Sequence, residues 1–135
     1  MKSALPILLI IAALYFWFQP GDDTPKPGTV FELTSENFAT AKRTSTHVLG
    51  VYLDSDSVST QISRSLAGLA TRLSTAGVIV AYGDRQNAPG LAAMATIQHY
   101  PTFVVYEAGV EQERLEGEFA PKGLDGLIER HFSGK

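Results

Sequence analysis

The side chains able to do chemistry in this chain are few, and the most reactive kind is missing. Its 135 residues include no cysteine, which removes thiolate nucleophiles, disulfides and cysteine metal ligands together. Cysteine usage therefore says nothing about redox compartment. The three histidines, His47, His99 and His131, stand at no metal-ligand spacing from one another or from a carboxylate pair, so no metal centre is expected. His99 invites a catalytic role, but a triad needs a nucleophile within reach. None is evident, and a surface-loop histidine is the expectation. The sequence has no glycine-rich phosphate loop, no paired-carboxylate motif and no internal repeat, and no cofactor is implied. With 14 acidic against 11 basic residues, a net charge of -3 and no Lys/Arg run, there is no electrostatic basis for a nucleic-acid partner.

Strands and helices alternate along the chain. Val30 to Leu33 reads as a short strand, and Thr34-Ser35 offers a helix N-cap before residues 36–43, anchored by Phe38. His47 to Leu53 is nearly continuous in apolar β-formers, the pattern of a central strand covered on both faces. Asp54 to Ser57 interrupts it. Val58, Ile62, Leu66, Leu69 and Leu73 then recur at helical spacing, with Gly77 as the stop. Val78 to Tyr82 is a second buried strand, and Pro89 suits the first residue of a short helix through Ile97. Thr102 to Glu107 and Val110 to Glu118 are strands joined by the turn Ala108-Gly109, and Pro121 opens a last helix with Leu124, Leu127, Ile128 and Phe132 inward. Glu107, Glu111, Glu113, Glu116 and Glu118 crowd this hairpin, where charge prevents edge pairing; an acidic docking patch is the other reading. The order implies an α/β domain, a central mixed sheet with helices on both faces.

The head of the chain has a different composition. Ala4 to Phe18 is an uncharged run ending in Tyr15, Phe16, Trp17 and Phe18, short of the about 20 residues of a full span but without the polar face of a core helix. Its far end lacks the small residues of a cleavage site and carries an interfacial aromatic cluster, so residues 1–19 are expected to be a retained single-pass transmembrane helix. Lys2 before the run and Asp22-Asp23 after it favour an extracytoplasmic domain, periplasmic if the membrane is a bacterial inner one. Residues 20–29, rich in proline and glycine, read as a tether, leaving residues 30–135 as the folded domain.

Leu33-Thr34-Ser35-Glu36-Asn37-Phe38 and the segment Pro89-Gly90, Ala92, Ile97, Pro101-Thr102, with Gly109 and Gly117 in register, resemble the thioredoxin superfamily over about residues 30 to 132. The resemblance implies a thioredoxin-like fold and places Asp56, Ser57, Val58 and Ser59 where the family has its Cys-Gly-Pro-Cys pair. Disulfide exchange needs a thiolate, so the implied protein is redox-inactive and not an enzyme of that kind. Gly50 falls where the family has a buried acid. Asp56 is expected to cap the following helix, with Ser57 or Ser59 satisfying further amides of its first turn. A second reading makes these groups a cradle for glutathione or another thiol ligand, in an enzyme using Ser57 or Ser59 at the helix N-terminus. Pro101 resembles the family's cis-proline, which leaves the backbone before it free to pair with an extended peptide; Tyr100, Pro101 and Gly117 would form that groove. The expectation is a protein or peptide partner, in a membrane complex or as a held extracytoplasmic polypeptide.

Overall fold

A computed structural model describes residues 25–132 of the chain. The expected anchor, residues 1–19, and the first half of the tether lie outside the described residues, among which no helix is long and apolar enough to cross a membrane.

A five-stranded sheet is built from β1 (Val30–Glu32), β2 (His47–Leu53), β3 (Ile79–Asp84), β4 (Thr102–Glu107) and β5 (Val110–Glu116) in the spatial order β1-β3-β2-β4-β5. β3 runs parallel to both β1 and β2, whereas β4 is antiparallel to β2 and to β5. The apolar run of β2 thus lies at the centre, and Val48 through Leu53 are all buried.

Among the described residues four α-helices cover the sheet: α1 (Phe38–Ala41), α2 (Ser57–Ser74), α3 (Leu91–Ala95) and α4 (Leu124–Phe132). One face carries α2 and α4 over Leu49, Val51, Val80, Phe103 and Val105. The other carries α1 and α3 over Val48, Tyr52, Ile79, Val104 and Tyr106.

α2 matches its sequence signal within a residue at each end, and Gly77 (φ +75°) stops it: its amide donates to the Ser74 carbonyl at 3.0 Å and the Val78 amide to the Leu73 carbonyl at 3.3 Å, the pattern of a glycine C-cap. Of the stripe expected to face the core, Leu66 and Leu73 are buried, but Val58, Ile62 and Leu69 are only half-buried. The short helices depart more. Thr34 caps from further out, exchanging bonds with Asn37 (Thr34 N to Oδ1 2.8 Å, Asn37 N to Oγ1 3.2 Å), and only residues 38–41 become α-helical. Pro89 precedes the helix rather than opening it, because Pro89-Gly90 forms a turn closed by the Leu91 amide on the Ala88 carbonyl at 3.1 Å. α3 ends at Thr96, whose left-handed φ of 57° reverses the chain. Pro121 lies in a 3-10 turn, Ala120–Gly123, that leads into α4.

The acidic hairpin is largely neutralised in place. Glu111 and Glu116 bind Arg114 at 2.7 and 3.1 Å, and Glu113 binds Arg130 and His131. Arg114 also donates to the carbonyls of Ala95 and Thr96, so these charges tie β5 to the end of α3 instead of forming an open anionic patch.

Candidate functional site

Register brings the expected site residues to one end of the sheet. Tyr52 of β2 pairs with Thr102 of β4, so the chain leaving β2 through Asp54 to Ser59 runs beside the chain entering β4 through Tyr100 and Pro101. Thr102 in turn pairs with Glu116 of β5. The Gly117 amide, at φ +91°, donates to the Pro101 carbonyl at 2.9 Å. The Tyr100–Pro101 peptide bond is cis. Among the described residues no hydrogen bond engages the amide or carbonyl of Tyr100, and its ring is half-buried.

Asp56 caps α2 as its residue type dictates: it sits in extended geometry and accepts from the Ser59 amide at 3.0 Å. Ser59 does not serve the first-turn amides. Its buried hydroxyl instead accepts from the Asp54 amide at 3.1 Å, fastening the loop to the helix. Ser57 is exposed and Val58 half-buried.

Sequence reasoning missed the polar hub at Asp54. Its carboxylate accepts from the Ser55 amide at 2.8 Å, Gln86 Nε2 at 2.7 Å and Arg85 Nη1 at 2.9 Å. The Arg85 guanidinium also lies 6.0 Å from the centre of the Tyr100 ring, the range of a cation–π contact. Three loops meet through these groups. The bonds from Gln86, Arg85 and Ser55 hold the Asp54 carboxyl below the ordinary carboxylate range. For Asp56, partial burial raises the pKa, but bonds from the Ser59 hydroxyl and amide outweigh it and leave it lowered. In the unfolded chain both return to about 3.9, so their contribution to stability is complete above that value and is lost as pH falls through the lower folded values. Asp56→Ala is expected to cost about 1 kcal/mol, the usual worth of an N-cap, and to flatten the fall of melting temperature below about pH 4. Melting curves between neutral and acid pH check this; an acid limb as steep as the parent's would refute it.

Other groups are structural or exposed. The His99 carbonyl accepts from Thr102 Oγ1 at 2.6 Å while the residue itself is exposed. Beside Gly50, Tyr52 and Tyr106 share a buried hydroxyl–hydroxyl bond of 2.7 Å. Phe119, two residues beyond Gly117, is 66% exposed, with Lys122 Nζ 5.2 Å from its ring centre. Among the described residues no group of three or more His, Asp or Glu could hold a metal ion.

No family model matches the chain, and no curated protein matches it. Among solved structures it is similar to a mutant thioredoxin from Halobacterium salinarum, with a TM-score of 0.68 at 18% sequence identity, over 83% of this chain and 98% of that one. With the strand order and this likeness together, the chain has the thioredoxin-like fold, and it has that fold without cysteine.

Proposed function

We propose that the chain is a membrane-tethered, non-catalytic protein-binding module, an accessory subunit of a membrane complex or a holder of extracytoplasmic polypeptide. Residues 4–18 anchor it in the bilayer, and the folded domain binds an extended segment at Tyr100, Pro101 and Gly117. The observation that carries this reading is the groove framework itself: among the described residues a Tyr100 backbone without hydrogen bonds, with Phe119 exposed two residues past Gly117, where no thiol stands. Recognition by backbone pairing requires no covalent step.

Each main-chain bond to Tyr100 would contribute about 0.5–1.5 kcal/mol net, whereas micromolar affinity needs about 8 kcal/mol. Side-chain burial supplies the difference, and the half-buried Tyr100 ring is its first source. The test uses the full chain. It should stay with membranes through an alkaline wash and, solubilised in mild detergent, bring its partner with it. Tyr100→Ala is expected to weaken that capture by at least about tenfold, the loss of roughly 1.4 kcal/mol, with melting behaviour close to the parent's. An unchanged complex would move the contact away from the groove.

A further inference from the structure

A second surface lies on the face that carries α2 and α4. Between these helices runs a groove of about 360 Å³ with Phe103 as its floor, Ile62 and Leu69 on the α2 side and Pro121 and Leu124 opposite. It is the reason Ile62 and Leu69, inward-facing by their spacing, remain half-buried. At its lip Gly68 occupies the interior of an eighteen-residue helix, where glycine weakens the helix relative to alanine. No internal packing explains it, since apart from its chain neighbours and its own helix backbone no heavy atom lies within 4 Å of the position a Cβ would take. The absent side chain leaves open space at the lip of the groove, room for a close-approaching backbone.

The charges around Gly68 select what approaches. α2 carries no Asp or Glu, and its two charged residues are Arg64 and Arg72, one turn before and one turn after Gly68, about 12 Å apart along the axis. Both are exposed. Arg72 lines the groove and pairs with Asp125 at 3.2 Å across solvent, a contact worth little and readily exchanged. Among the described residues no ion pair or hydrogen bond engages Arg64. A second copy of α2 laid here would bring arginine against arginine.

We infer that the α2–α4 groove, centred on Gly68, docks an amphipathic helix of another polypeptide that presents an apolar face flanked by carboxylates. The surface is separate from the Tyr100 groove. A fluorescently labelled synthetic helix with a leucine-alanine face and two glutamates matched to Arg64 and Arg72 is titrated onto the full chain in phosphatidylcholine nanodiscs, with empty nanodiscs as blank and a lysine counterpart as control. The acidic helix should bind and the lysine helix should not. Gly68→Leu fills the lip and should weaken binding at least about tenfold while melting no lower than the parent. Arg64→Glu with Arg72→Glu should reverse the preference between the two helices, and Tyr100→Ala should leave binding unchanged. No binding, equal binding of both helices, or indifference to Gly68→Leu overturns the inference. Self-association of the chain that Gly68→Leu abolishes would also overturn it, assigning the groove to a second copy.

Discussion

Gly50→Asp is expected to destabilise the domain by about 3 kcal/mol or more, enough to unfold a marginal protein. Position 50 is where the resembling family carries its buried acid, so this change would ordinarily count as a restoration. Here the site is already filled. A Cβ at Gly50 would lie 3.0 Å from Tyr106 Cε2, 3.2 Å from Tyr52 Cε2 and 3.3 Å from the Tyr52 hydroxyl. A carboxylate beyond it would have to displace the ring of Tyr106 or Tyr52 and would sit uncompensated in the core, where an unpaired charge is costly. Gly50→Ala, which asks the rings to yield only a few tenths of an ångström, should cost much less. The two costs separate steric from electrostatic effects in one denaturant series. Asp56→Cys with Ser59→Cys should show at best feeble thiol–disulfide exchange, and adding Gly50→Asp should lower the yield of folded protein rather than raise the activity. A folded Gly50→Asp variant with parental stability would show that the space beside Gly50 is larger than these distances allow.

How much of this was legible in the sequence depended on the range of the signal. The apolar run His47–Leu53 and the helical stripe from Val58 to Leu73 are local patterns, and α2 and β2 appear where periodicity puts them. α1 and α3 are short, and their ends are set by single turns at Asn37, Pro89-Gly90 and Thr96 that no periodicity records. The placing of Tyr100, Pro101 and Gly117 together came from a resemblance, and the strand register is what brings them to one sheet end. In the sequence Asp54 is only part of a strand break. Its partners Arg85 and Gln86 lie 31 and 32 residues away, in a loop whose composition says only that it is polar. The openness of the α2–α4 groove was equally hidden: a half-buried Leu69 and a buried Leu66 have the same apolar signature.

Tyr52→Phe alone is expected to cost about 1–3 kcal/mol, and Tyr52→Phe with Tyr106→Phe much less than the sum of the two single changes. The two hydroxyls lie 2.7 Å apart, and each residue is almost wholly buried, 1% and 3% exposed. Removing one hydroxyl leaves the other desolvated and unpaired, which carries that penalty, whereas removing both leaves two phenylalanine rings of nearly the same shape with nothing to satisfy. A double-mutant cycle by denaturant titration reads the coupling directly. The same pair fixes an alkaline limb. Burial, with Tyr106 beside it, pushes the Tyr52 phenol far up, and burial pushes that of Tyr106 up to about 12, against about 10 in the unfolded chain. The protonated pair therefore contributes its full stability below about pH 10 and loses it as pH rises toward the folded values. The double phenylalanine variant should lose less stability between about pH 9 and 11 than the parent. If the single changes add and the alkaline limb does not move, the tyrosine pair is incidental to the core, and the space beside Gly50 is held by ring packing alone.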